Sequence, residues 1–214
     1  MARLKLKKLE EYLQCVDGFE KPKIMLEQYP TPPHIAACMV HHMQAQHDDI
    51  EGKFVGDLGC GCGMLSIGAT LLGAQLTVGF ELDGDAVDIY RNNVQEMELP
   101  NVDCVRTDVL QLPGSKWEKT FDTIVMNPPF GTKHNAGMDM RFLEAALRLA
   151  TGAVYSLHKT STRAYIQKKS LEWGASGSVV AELRYNIEAS YKFHKRQSKD
   201  IEVDFWRFDI SGKN

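Results

Sequence analysis

No stretch of this 214-residue chain stays apolar for the roughly 20 residues that a membrane-spanning helix needs, so a spanning helix is excluded. Low-complexity tracts, internal repeats and a linker long enough to divide the chain are also missing. With 43% hydrophobic and 25% charged residues, the composition predicts one globular domain, 1–214. Basic residues are not in excess. A net charge of -3 excludes a protein that coats nucleic acid by bulk electrostatics, while leaving room for a local basic face. Cysteines are few and odd in number, five, with no secretory signal read ahead of them. That excludes a disulfide scaffold and predicts a reducing compartment.

The opening MARLKLKKLEEYLQ is basic and amphipathic, but Glu10 and Glu11 weigh against a mitochondrial presequence. Leu4, Leu6, Leu9 and Leu13 instead predict one face of a short folded helix. No metal site is expected. His34, His41, His42 and His47 share one candidate helix without a matching cysteine or carboxylate set, and Cys60 and Cys62 stand too close for a zinc knuckle.

From about residue 53, apolar runs of strand length alternate with helix-period segments, as in a parallel sheet with crossover helices. Strands are expected at 53–58, 76–82, 102–108, 121–127 and 153–158, and helices near 64–72, 84–97, 139–150 and 160–173. Two further strands, 178–186 and 201–210, have no room for a helix between them and predict an antiparallel hairpin. The expected fold is α/β and Rossmann-like, of the class I methyltransferase type: a seven-stranded, mostly parallel sheet with a C-terminal antiparallel hairpin and helices on both faces. Residues 1–50 are expected to form a helical cap or lid over the core, 51–214, with Thr31 capping a helix whose first turn holds Pro32 and Pro33.

The segment FVGDLGCGCGM (54–64) is a strand, a glycine-rich turn and a helix start. Gly59, Gly61 and Gly63, following Asp57, let the main chain approach a ligand closely, and the helix start offers unpaired amides. The spacing departs from the dinucleotide fingerprint, because Met64 stands where GxGxxG requires glycine. It fits a cofactor with an amino-acid end, S-adenosylmethionine. Glu81, closing the next strand, is placed to accept the two ribose hydroxyls, and Asp108, closing the third, to accept from the adenine amine.

Asn127-Pro128-Pro129-Phe130 directly follows the fourth strand. Two prolines stiffen the backbone and remove two amide donors, leaving the Asn127 side-chain oxygen and the Pro128 carbonyl as acceptors. A planar amine with two hydrogens fits between them. Phe130 is expected to offer an apolar face to a base taken out of its stack.

With these residues in place the chain resembles the methyltransferase-like protein 5 family of adenine methyltransferases acting on small-subunit ribosomal RNA. The resemblance runs through LEQYPTPP (26–33), DLGCGCGMLSIG (57–68), MNPPFGTK (126–133), AVYSLHK (153–159), SYKFHK (190–195) and IEVDFWRF (201–208). It implies methylation of the 6-amino group of one adenosine in 18S rRNA. It implies Gln28, Thr31, Gly59, Cys62, Met64, Glu81, Asp108 and Val109 at the cofactor and Asn127 to Phe130 at the target base. It also implies a small zinc-binding activator subunit, for which the unpaired edge of strand 102–108 offers a docking place. The expected location is the nucleus or nucleolus and the cytoplasm.

Three basic clusters remain: Arg3, Lys5, Lys7 and Lys8; Lys159, Arg163, Lys168 and Lys169; and Lys192, Lys195, Arg196 and Lys199. The last fills the hairpin loop and interleaves with Tyr191 and Phe193, so Lys192, Phe193, Lys195 and Arg196 are the expected RNA contacts. Three other readings stay open. A glutamine amide presents the same two hydrogens as adenine, so a protein glutamine methyltransferase is one, although such enzymes usually carry Tyr at the position of Phe130. Guanine methylation at its exocyclic amine is another, and a non-catalytic cofactor-binding scaffold for a partner is the third.

Overall fold

The computed structural model describes residues 4–131, 135–187 and 199–210. Seven strands form one sheet in the order β3-β2-β1-β4-β5-β7-β6. They are β1 Phe54–Leu58, β2 Leu76–Glu81, β3 Val102–Arg106, β4 Phe121–Met126, β5 Ala150–Lys159, β6 Ser176–Ile187 and β7 Lys199–Asp209. β1 to β5 pair in parallel, and β7 runs antiparallel between β5 and β6. The seven-strand sheet with its closing hairpin is the one expected from the sequence.

The helices are α1 Leu6–Leu13, α2 Pro33–His47, α3 Met64–Leu71, α4 Gly84–Glu96, α5 Met138–Leu149 and α6 Arg163–Glu172. None is long and apolar enough to cross a membrane among the described residues. Central strands are apolar on both faces because both are covered. Leu9 and Leu13 of α1, Val40 and Met43 of α2 and Ile67 of α3 pack on one face with Val125, Tyr155 and Phe205. On the other, Leu143 and Ala146 of α5 and Ile166 of α6 pack with Phe80, Ile124, Val154 and Trp206.

Thr31 does not cap α2. The residue before the helix is Pro32, in an extended conformation, and no side chain caps the end. Proline at the first helical position lacks one of the amide protons a cap would serve, and Thr31 is left for another contact described below. α2 ends at Asp48, which takes the left-handed conformation at φ 55°. Asp49 accepts hydrogen bonds from Tyr155 Oη at 2.7 Å and Arg207 Nε at 3.2 Å, tying the N-terminal segment to β5 and β7.

The chain leaves β1 toward β2 and β3 on one side and reaches β4 and β5 on the other, so β1 and β4 flank the topological switch point. Open α/β sheets bind ligands beyond the carboxyl ends of the strands at that point. Asp57 pairs with Val125 across it, which puts Gly59 and Asn127, each two residues further on, at the same edge.

β6 and β7 stay paired from Ser176↔Asp209 to Ile187↔Lys199, whereas β5 follows β7 only to Lys159↔Val203. Four further residue pairs therefore extend beyond β5 as a two-stranded arm, roughly 13 Å at the rise of an antiparallel strand. The arm leaves from the carboxyl edge of the parallel strands. Lys192, Phe193, Lys195 and Arg196 lie outside the described residues, in the segment that joins its two strands.

Candidate active site

Two connected lobes open at the switch point. The larger, about 330 Å³, is lined by Gln28, Glu81, Leu82, Asp108, Val109 and Pro129 among others. The smaller, about 50 Å³, is lined by Thr31, Asp57, Cys62 and Met64. Phe19, Tyr29, Gly59, Gly61 and Asn127 line both and so form the neck between them.

The glycine turn is shaped by its neighbours as much as by a ligand. Gly61 sits at φ 53°, and a Cβ built there would stand 2.8 Å from the ring of Phe19. Gly63 sits at φ 98°, with a built Cβ 2.8 Å from Tyr90. Left-handed backbone and occupied space both demand glycine. Gly63 lines neither lobe; it starts α3 over Tyr90.

Glu81 is buried at the end of β2, and each of its oxygens already accepts a backbone amide, Oε2 from Gly61 at 3.0 Å and Oε1 from Asp83 at 2.9 Å. Burial pushes its carboxyl up, opposed by these amide hydrogen bonds. With the Leu82 backbone also bonded to it, the carboxylate still has acceptor capacity for a ribose hydroxyl. Asp108 lies just past β3, not within it; its Oδ1 accepts from Leu110 N at 2.9 Å and fixes the turn carrying Val109 against the larger lobe.

In the smaller lobe Asp57 is 1% exposed and accepts from Ser66 Oγ at 2.6 Å. Burial pushes its carboxyl up to about 7 despite that bond. Cys62 beside it is pushed up to about 12 by burial and then by Glu81, which keeps it a neutral thiol. Cys60 lies under the turn, its Sγ 3.7 Å from that of Cys104 on β3.

Asn127 donates Nδ2 to Thr31 Oγ1 at 3.0 Å, the contact that the uncapped α2 makes possible. Pro129 lines the larger lobe, while Pro128 and Phe130 line neither. Phe130 is 8% exposed and belongs to the core beneath α2 and α3, so in this arrangement it supports the wall more than it faces the cavity.

Gln28 reaches the site from the N-terminal segment. Its Nε2 donates to Asp83 Oδ2 at 2.7 Å, and its Oε1 accepts from Lys23 N at 2.7 Å. Lys23 also pairs with Asp83 and, at 2.8 Å, with Asp85. Burial alone would raise the Asp83 carboxyl, but Lys23 and Gln28 together bring it below its usual range. Asn135 closes the opposite wall, donating to the Met25 carbonyl at 2.9 Å and Glu27 Oε1 at 3.1 Å.

The pieces fit an S-adenosylmethionine-sized ligand: carboxylates at two strand ends, a neck bounded by a glycine turn, and a small lobe ending at a buried acid. Several residues of this site are not singled out by the sequence, among them four that shape the lobes. Phe19, Tyr29 and Phe142 line the lobes, and Asn93 of α4 braces them. Phe19 had a weak signal, a lone aromatic in the polar run VDGFEKPK. Asn93 had none, being one of several polar residues on a surface helix. Among the basic clusters, Arg163 is paired with Asp204 and Glu182, Lys169 with Glu172 and Lys8 with Glu11, so these three cations are already matched.

The family model described as a methyltransferase small domain matches residues 35–163. Over 210 residues the chain is 86% identical to the rRNA N(6)-adenosine-methyltransferase Mettl5 of Drosophila melanogaster, covering 98% of this chain and 99% of that protein. It is 62% identical to rRNA N(6)-adenosine-methyltransferase METTL5 of Danio rerio over 96% of this chain and 99% of that protein. A crystal structure from Pyrococcus horikoshii superposes with a TM-score of 0.81 at 35% identity, covering 97% of this chain and 98% of that one.

Proposed function

This chain belongs to the methyltransferase-like protein 5 family of rRNA N(6)-adenosine methyltransferases, and from that premise we propose that it methylates the 6-amino group of one adenosine in 18S rRNA. The methyl donor is S-adenosylmethionine, which supplies an electrophilic methyl on a charged sulfur. Glu81 and Asp108, which line the larger lobe, would hold its nucleoside end, and the glycine turn with Asp57, Cys62 and Met64, around the smaller lobe, would hold its amino-acid end.

The chemistry asked of the protein is modest but specific. An adenine amine is a poor nucleophile because its lone pair is delocalised into the ring. Asn127 Oδ1 and the Pro128 carbonyl accept its two hydrogens, which draws the nitrogen toward tetrahedral geometry and localises the lone pair. The nitrogen takes the methyl as the sulfur–methyl bond breaks, leaving the neutral thioether S-adenosylhomocysteine, and gives up one proton to water, so no strong base is required. Most of the acceleration comes from positioning and fixed dipoles. The base reaches Asn127 only when unstacked from its RNA. The Pro128 carbonyl reaches it, and Phe130 faces it, only if the 127–130 corner shifts as the base enters.

The observation that carries this reading is the position of Asn127, shared by both lobes and tied through Thr31 to the N-terminal segment. β3 is an edge strand of the sheet, with one side of its backbone open to strand addition. That edge supports docking of a small zinc-binding activator subunit, and the isolated chain is then expected to be poorly soluble. Good solubility with full activity alone would remove the activator from the proposal. A nuclear or nucleolar and cytoplasmic location accords with a ribosomal substrate.

The test is to co-express the chain with such a subunit and incubate it with labelled S-adenosylmethionine and ribosomal particles. RNA and protein are recovered separately and the labelled nucleoside is identified by mass. Label in 6-methyladenosine of 18S rRNA, absent with Asn127→Ala, is the expected result. Label in protein would instead make the substrate a glutamine side chain.

A further inference from the structure

Phe19 lines both lobes of the site and also the cleft of about 340 Å³ outside them, where Asp83, Asp85 and Asp88 stand. It comes from the segment between α1 and α2. Its position is fixed from two sides. Two residues earlier, the Asp17 backbone makes a reciprocal pair with the Asn93 side chain, N to Oδ1 at 2.9 Å and Nδ2 to O at 3.0 Å. The same Nδ2 donates to the Cys62 carbonyl at 2.9 Å. Asn93 is 2% exposed, so one buried amide ties the segment carrying Phe19 to the turn that Phe19 covers. On the other side the ring occupies the space that a Gly61 side chain would need.

An aromatic ring held at this neck is a particular chemical choice. The neck is where the glycine turn and Asn127 meet, so a methyl donor that serves a base held at Asn127 has its charged sulfur there. The ring face carries the negative end of a quadrupole and attracts a cation within about 6 Å of its centre. The thioether left after transfer carries no such charge. An aliphatic side chain of similar size would contact both forms alike.

We propose that Phe19 is a cofactor-binding residue that favours the charged methyl donor over its neutral product. This rests on the reading of S-adenosylmethionine as the donor. It gives the N-terminal segment a function beyond covering the site: the ring beside the turn holds the loaded cofactor more tightly than the spent one.

Titration calorimetry on the full chain, with S-adenosylmethionine and S-adenosylhomocysteine as separate ligands, tests this without any turnover. Phe19→Leu is expected to weaken the first roughly three- to tenfold and the second by less than about twofold. Phe19→Trp is expected to hold or increase the preference for the charged ligand, and it decides the matter should the leucine variant fail to fold. Equal losses for the two ligands, or no loss for either, would overturn the inference while leaving the cofactor reading intact. Failure of the unmodified chain to bind either ligand would overturn the cofactor reading and this inference with it.

Discussion

Asn127 is held by Thr31: its side-chain nitrogen donates to the threonine hydroxyl at 3.0 Å across 96 residues of sequence. With the nitrogen on the threonine hydroxyl, the oxygen points away from Thr31. A rotated amide would turn a donor toward an incoming amine and repel it. Thr31→Val keeps the shape and removes the acceptor. A single neutral hydrogen bond of this kind contributes on the order of 1 kcal/mol, so kcat is expected to fall roughly five- to tenfold. Thr31→Ser should keep most of the rate. The comparison is made by steady-state kinetics with cofactor binding measured alongside. An equal fall in the serine variant would show that the methyl group, not the hydroxyl, is what matters.

Asp57 gives a prediction with a sign. Its carboxyl is pushed up to about 7 by burial in the folded protein, against about 3.9 in an unfolded chain. The native state therefore binds this proton more tightly than the unfolded state. The contribution to stability is largest below pH 4, declines as pH rises toward 7, and is at its least favourable above that. Asp57→Asn keeps an acceptor for Ser66 Oγ and removes the titration. Its melting temperature relative to the unmodified protein should rise more at pH 8 than at pH 5. Above pH 7 the same variant should bind S-adenosylmethionine less well, since a buried anion at the amino-acid end is lost there. A Tm difference independent of pH would mean that Asp57 does not titrate in this range.

Much of the site was legible because it is written in backbone constraints. Glycines at 59, 61 and 63 and prolines at 128 and 129 restrict the chain locally, and local restrictions can be read from local sequence. The alternation of strands and helices fixed which ends meet at the switch point. Thr31 was misassigned for the opposite reason. Its local context, a threonine before two prolines, matches a helix cap, but its partner Asn127 lies just past the end of β4 and no local pattern announces that. Phe19 and Asn93 depend on contacts spanning 42 and 31 residues respectively, to Gly61 and Cys62. Phe130 was read as a stacking face from its place in the motif, and its burial in the core is decided by α2 and α3.

Glu81 should separate stability from binding. Its two oxygens accept the amides of Gly61 and Asp83, so Glu81→Ala leaves two donors inside the protein without these partners. Each costs about 1–3 kcal/mol, and both a lowered Tm and a loss of cofactor binding are expected. Glu81→Gln retains one oxygen and replaces the other by a donor that opposes an amide. It should lie between the two in Tm while losing cofactor affinity at least tenfold, because the amide has less acceptor capacity for a ribose hydroxyl. Thermal unfolding without ligand and calorimetry with it distinguish the two effects. Retained affinity in the glutamine variant would mean that the ribose is held elsewhere.

The arm formed by β6 and β7 beyond β5 leaves the sheet at the same edge as Asn127, and the segment joining its strands carries Lys192, Phe193, Lys195 and Arg196. The chain carries a net charge of -3, so attraction to RNA has to be local, and several other surface cations are already matched by carboxylates. Replacing Lys195 and Arg196 by alanine should therefore weaken RNA binding without altering cofactor affinity. Two lost phosphate contacts on single-stranded RNA should lower the slope of log affinity against log salt by about 1.4. Phe193→Ala should weaken binding with little change in that slope, since stacking releases no counterions. Titrations of a ribosomal RNA fragment at several salt concentrations measure both. An unchanged slope in the double variant would move the RNA path off the arm, toward the rim formed by Met25 and Leu82.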